Sequence, residues 1–245
     1  MSDMAQVRLT EVFVELADTL VDDFDLLDFL YGVTEKCAEV LGVSAAGILL
    51  TDERDRLQAV AASTERTRLL ELFQLQTEQG PCFDCFRTGA PVSVADLRTV
   101  NKWPHFSEAA AEVGFASVHA VPMRLRSEVI GALNLFHTEP GALDGETLRV
   151  GQALADVATI GLLQQRAIHH RDSLTEQLQT ALDSRVLIEQ AKGMLSERLD
   201  LDMADAFVRL RTEARNRNRL LSELALDIVD GTDQALLTSH GEQPG

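Results

Sequence analysis

The stretch Arg209–Arg219, RLRTEARNRNR, carries five arginines and one acid, Glu213, in a chain whose formal charge is −17. Guanidinium groups at this density pair with phosphate oxygens or stack on flat rings. The segment is therefore either a solvated helix face or a surface that meets a polyanion. On a helical wheel centred on Phe207, Arg211 and Arg215 take one flank four residues apart, and Arg219 continues the line. Upstream, Arg185, Glu189, Lys192 and Ser196 share a face opposite Leu187, Ala191 and Met194. Lys192 is one of three lysines in the chain. Gly193 beside it has no side chain, which marks either tight helix packing or a ligand surface.

Cys82 and Cys85, in GPCFDCFRTG, have the C-x-x-C spacing of a redox pair or of half a zinc site. No second C-x-x-C or paired Cys/His motif supplies the missing ligands, and the adjacent His169 and His170 point different ways around a helix. No metal site is expected, and two buried cysteines packing a short helix fit the pattern best. With Cys37 the cysteines number three, which makes no disulfide framework and fits a reducing, cytoplasmic setting. Trp103, Phe106, Phe115 and His119 have the chemistry to line a ligand pocket, although core packing explains them equally well. No P-loop, G-x-S-x-G, H-E-x-x-H or G-x-G-x-x-G occurs, so neither catalysis nor a cofactor is expected.

The charge is unevenly placed. Residues 1–179 sum to −13, residues 180–232 to −2, and the remaining tail to −2. The front of the chain therefore repels nucleic acid and anionic membrane, and any surface for a polyanion must be local. No apolar run reaches the roughly 18 residues of a membrane span, and the N-terminus lacks a basic-then-apolar signal pattern.

The elements that must position these residues follow from periodicity. Helices are expected over the opening residues (Val7, Val12, Phe13, Leu16, Leu20), from about Asp25 to Leu41 with Gly42 as the stop, and over Thr64–Thr77. Ala45–Asp52 and Leu57–Ser63 read as strands joined by a charged turn, APVSVADL as a short strand, and His119–His137 as a hairpin with the tip Arg126-Ser127-Glu128. WPHFSEAAAEVGF starts a helix, with Ser107 as its N-cap and Gly114 as its stop. From Asp144 onward the pattern is helical. Leu148, Leu154, Val157, Ala158, Gly161, Leu162 and Gln165 make one stripe, and Leu174, Leu178, Ala181, Arg185 and Ile188 have the spacing of a coiled-coil seam. Unbroken to Leu199, this helix would span about 80 Å and act as a stalk pairing with a second copy. Asp202 caps the next helix, with Met203, Phe207, Leu210 and Ala214 as its stripe. A third helix carries Leu220, Leu221, Leu224, Ala225, Ile228 and Val229, and Gly231 ends it.

The sequence from SRVLIEQAKGM through LALDIV resembles the ANTAR domain, a three-helix RNA-binding module of transcription antitermination regulators. The likeness rests on Ile188 to Leu195, then Ala206, Phe207, Leu210, Arg211, Ala214, Asn216, Arg219, Leu220, Leu224 and Ala225. GAPVSVADL, VPMRLRSEVIGALNLF and the long closing helix resemble a GAF domain, an antiparallel sheet flanked by helices that often senses a small molecule. These resemblances imply an α+β chain: a GAF sensor domain over 1–165, a coiled-coil stalk over 166–183, an ANTAR bundle over 184–231 and a disordered tail over 232–245. They imply a homodimer that binds two-hairpin leader RNA and suppresses termination, through Arg185, Lys192, Arg211, Arg215, Asn216 and Arg219. A small-molecule ligand of the GAF domain would lie among Trp103, Phe106, Phe115 and His119. The cyclic-nucleotide signature N-K-x-x-F-D-E is absent. Free-methionine-R-sulfoxide reductases also resemble GAF domains, but their cysteines stand further apart and they carry no ANTAR tail. The alternative is a ligand-sensing protein whose helical tail binds a protein partner, a reading that the overall acidity and the single tyrosine favour.

Overall fold

The opening stripe forms α1 (Asp3–Thr19), which buries Val12 and Leu16. Asp25 then caps α2 (Leu26–Leu41), its carboxylate accepting from the N–H groups of Leu27 and Asp28. Gly42 ends that helix in the left-handed conformation, φ 65°. The computed structural model describes residues 3–20, 24–52, 54–125, 128–168, 174–217 and 219–233. They divide into two units, 1–179 and 180–245.

In the first unit five strands make one antiparallel sheet in the order β2-β1-β5-β4-β3. They are β1 (Ala45–Thr51), β2 (Leu57–Ala62), β3 (Val92–Val94), β4 (Ser117–Leu125) and β5 (Glu128–His137). All seven residues of β1 are buried, because the sheet is covered on both faces. Between β2 and β3 lie α3 (Glu65–Thr77) and α4 (Pro81–Thr88), and before β4 lies α5 (Pro104–Glu112); these three pack on one face. The other face carries α2 and α6 (Gly145–Ile168). The sheet is therefore the partition between two separate cores.

One local expectation is corrected. Ser107 does not cap α5: the helix begins at Pro104, and the Ser107 N–H already bonds to the Trp103 carbonyl inside the first turns. Proline is suited to the first helical position because it has no N–H to lose there. Gly114 follows the helix end at φ +87° as expected. The hairpin tip Arg126-Ser127 and the tail from 234 lie outside the described residues.

The second unit contains the end of α7 (Leu174–Leu199), then α8 (Met203–Asn216) and α9 (Leu221–Val229). Asp202 caps α8 by accepting from the Asp205 N–H at 2.7 Å. The Ser196 hydroxyl donates to the Leu201 carbonyl at 2.7 Å, and Asp200 takes φ 52°, which together make the turn out of α7. Ile188, Ala191 and Leu195 meet Ala206, Leu210, Ala214, Leu221, Leu224, Ala225 and Ile228 in a core exposed by 3% or less throughout. Ile188 thus belongs to this core and not to a two-helix seam. Of the other seam residues, the side chains of Leu174, Leu178 and Ala181, and the join 169–173, lie outside the described residues.

Candidate functional site

The cationic residues of the second unit separate into two sets by helical row. Arg211 lies four residues after Phe207 and three before Ala214, which puts it on the same row as both. It is 9% exposed, beside a core centred on Ala206 and Leu210, while Phe207 and Met203 are only half-buried. Arg185 and Lys192 stand in the same relation to Ile188 and Leu195, at steps of three, four and three. They are 8% and 4% exposed. The exposure expected of a binding surface is not found at Arg211, Arg185 or Lys192, which are all buried. All three are charged side chains held inside the unit, and Arg185 Nη1 is itself buried with no hydrogen-bond partner in the protein.

Lys192 Nζ lies 3.2 Å from Glu189 Oε2 and 5.4 Å from the centroid of the Phe207 ring. The ion pair lies within α7, and the cation–π contact with Phe207 joins α7 to α8. An added Cβ at Gly193 would meet nothing within 4 Å, which removes the tight-packing explanation for that glycine. Arg219 Nη1 lies 2.5 Å from Asp227 Oδ2, and Arg217 pairs with Glu213 at 2.7 Å and with Asp233. These acids offset two of the five arginines in the opening segment.

The exposed residues of α8 are Ala204, Asp205, Val208, Thr212, Arg215 and Asn216, with Val208 61% exposed. The step of four from Val208 to Thr212 to Asn216 is present in the sequence. Arg215 lies on the neighbouring row, with Arg211 one turn before it. Arg215 and Asn216 are thus exposed where Arg185, Lys192 and Arg211 are buried, although Arg211 and Arg215 stay neighbours one turn apart on α8.

In the first unit the four aromatic candidates also separate. Trp103, Phe106 and Phe115 join Val94, Leu97, Ala110, Val118 and Phe136 in one core cluster, with Phe115 stacked on Phe136 at 5.0 Å. Val118 belongs to that cluster, so its strand neighbour His119 points to the opposite face of the sheet. The four do not line a common pocket.

Deeper on the same face as the aromatic cluster is a polar chain. Cys82 Sγ donates to Gln74 Oε1 at 2.9 Å, Gln74 Nε2 donates to Glu71 Oε2 at 2.8 Å, and Asn134 Nδ2 donates to Glu71 Oε1 at 2.8 Å. All four residues are fully buried. Gly47 makes the room, since a Cβ there would come within 2.6 Å of Glu71 Oε1.

Cys82 and Cys85 sit on α4 against Leu49, Leu57, Ala120 and Ala132. Burial pushes the Cys85 thiol up to about 12 and the Cys82 thiol well above its ordinary value, the latter with help from Glu71. Thiolates are therefore suppressed. A thiol reagent applied to the folded protein should label none of the free cysteines, Cys37 included, within the time that labels them all in denaturant. Fast labelling of Cys82 or Cys85 would contradict packing as their role. No group of three or more metal-binding side chains occurs among the described residues.

The GAF domain model matches residues 25–162 and the ANTAR domain model residues 176–229. The chain belongs to the GAF domain family and carries a C-terminal ANTAR domain. The two domains are of the general kind found in signal-sensing, RNA-binding regulators. No curated protein matches it.

Similar solved structures include the GAF domain of an Acinetobacter phosphoenolpyruvate-protein phosphotransferase. It shares 16% identity over 70% of this chain and 100% of its own, at a TM-score of 0.54. The corresponding GAF domain from Coxiella burnetii shares 15% over 67% and 98%, also at 0.54. Free methionine-R-sulfoxide reductase from Neisseria meningitidis shares 18% over 69% and 95%, at 0.53. These likenesses show the fold. No helix among the described residues is long and apolar enough to cross a membrane.

Proposed function

We propose that this chain is a cytoplasmic, non-enzymatic homodimer whose ANTAR unit binds a two-hairpin leader RNA and thereby suppresses a transcription terminator. The observation that carries the reading is the exposed pair Arg215 and Asn216 on α8 of a matched ANTAR domain. Arginine supplies a phosphate contact or a stacking plane, and asparagine supplies a donor and an acceptor for an unpaired base edge. Arg219 sits at the margin, where phosphate would have to compete with Asp227. Lys192, Arg185 and Arg211 act behind this surface, by holding α7 and α8 in place. The GAF domain senses a signal, and the segment around 166–183 carries it to the RNA-binding unit by altering how two copies pair.

A gel-shift titration with a two-hairpin leader tests the RNA reading against a leader whose loops are replaced by unrelated sequence. A second reading, docking of a protein partner, draws support from Val186, Val208 and Leu226, which are 56%, 61% and 41% exposed on this unit. Absence of any shift at micromolar protein would favour it. For the oligomer, sedimentation at tens of micromolar should give a dimer without RNA. A monomer that stays monomeric with RNA bound would contradict the pairing proposal.

A further inference from the structure

At one end of the sheet the β4–β5 pairing places two imidazoles on the face that carries α2 and α6. His119 stands opposite Leu135, and Ser117 opposite His137. All four side chains share that face, and the histidines are diagonal neighbours at roughly 7–8 Å between Cα atoms. The segment after β5 folds back over them. The Ser117 hydroxyl donates to the Glu139 carbonyl at 2.9 Å, and the Gly141 N–H bonds to the Ala95 carbonyl at 2.8 Å. A cavity of about 200 Å³ results, with His119, His137, Ser117 and Glu139 in its polar lining and Pro140, Ala142 and Leu143 in its apolar wall.

The two rings are prepared differently. His119 is 1% exposed, and neither of its nitrogens makes a hydrogen bond within the protein. His137 accepts the Glu139 N–H on Nδ1 at 3.0 Å. Its neutral ring therefore carries its proton on Nε2. Each ring thus has an N–H to donate.

We propose that this cavity binds a small monocarboxylate, whose two oxygens accept from the imidazoles of His119 and His137. A buried ring without a partner is costly, and a ligand oxygen removes that cost. The volume equals about six or seven waters at roughly 30 Å³ each and falls below the roughly 300 Å³ at which drug-sized pockets begin. It suits a carboxylate with a short apolar tail. The site is on the opposite face of the sheet from Trp103, Phe106 and Phe115.

Binding carries a pH dependence. Burial holds the free His119 below its ordinary value; the nearby Gly141 backbone, outside hydrogen-bond geometry, opposes this, and the charge of His137 adds to it. The titratable groups that line the cavity with it are His137 from β5 and Glu139 from the loop, while α2 contributes only its end at Gly42. A bound carboxylate favours the imidazolium, so the complex takes up protons and tightens as pH falls.

The test is a titration of the full chain, labelled with nitrogen-15 in histidine, with sodium propionate at about pH 6 and about pH 7.5, either side of the ordinary imidazole value. Sodium chloride at equal ionic strength and propionamide serve as controls. The ring signals of His119 and His137 should shift saturably with propionate, roughly fivefold more tightly at the lower pH, while exposed His105 stays still. Propionamide should bind at least about tenfold more weakly. His137→Gln, at a half-exposed ring, should keep the fold and lose about tenfold in affinity, and His119→Phe should abolish the response. If His119→Phe does not fold, His137→Gln decides. No saturable shift, a parallel shift of His105, equal binding of propionamide, or unchanged affinity in His137→Gln each overturns the proposal. The measurement uses no RNA, so its failure leaves the RNA reading standing.

Discussion

Replacing Arg215 and Asn216 together with alanine should weaken binding to a hairpin leader at least about tenfold, or about 1.4 kcal/mol. Helix content should not change. Both residues are exposed on α8 and lie off the buried row of Ala206, Leu210 and Ala214, so the core does not depend on them. The slope of log affinity against log salt should shrink by about 0.7–0.9, because the Arg215 guanidinium no longer neutralises a phosphate. Arg211→Ala is the informative contrast. At 9% exposure its stem is part of the packing, so that change should lower the melting temperature of the second unit. Any loss of RNA affinity there should follow the loss of helix. Unchanged affinity in the Arg215/Asn216 variant would mean that this face is only solvated.

The second large effect concerns Glu71. Both of its oxygens accept from buried side-chain amides, of Asn134 and Gln74, at 2.8 Å. Glu71→Ala leaves those donors without acceptors in a region exposed to no solvent. Each orphaned donor costs about 1–3 kcal/mol, so the first unit should lose roughly 2–6 kcal/mol, or about 4–24 °C in Tm. Glu71→Gln keeps the size but turns one acceptor into a donor facing another donor, and should recover only part of the loss. A melting curve of Glu71→Ala that matches the parent would show that the polar chain does not stabilise the sheet–α3 contact.

The order of elements can be read from the sequence because each is written in local chemistry. Asp25 and Asp202 cap helices, Gly42 and Gly231 end them, and β4 and β5 read as two continuous apolar runs. The three-helix unit also follows from local spacing. A wheel centred on Phe207, the largest apolar residue of α8, nevertheless misplaces the core, which closes on Ala206 and Leu210. Small residues let helices approach closely, so the most buried row need not hold the largest side chain. The same effect hides Arg185 and Lys192, whose aliphatic stems serve as core residues while their charges suggest a surface. In the first unit, the pairing of Glu71 with Asn134 joins residues 63 apart in sequence. No short-range pattern announces such a contact. Residue type singles out His119, but its separation from the aromatic cluster depends on strand parity across the sheet.

The central claim is that the exposed face of α8 on the ANTAR unit is an RNA surface. Its most direct test is the affinity of the full chain for a two-hairpin leader, measured from low to physiological salt beside a leader with unrelated loops. The account predicts a clear preference for the authentic loops at every salt concentration, with an affinity that falls as salt rises. It also predicts that the Arg215/Asn216 variant loses the preference and part of the slope. Equal binding of both leaders, or a variant indistinguishable from the parent in preference and slope, would contradict it.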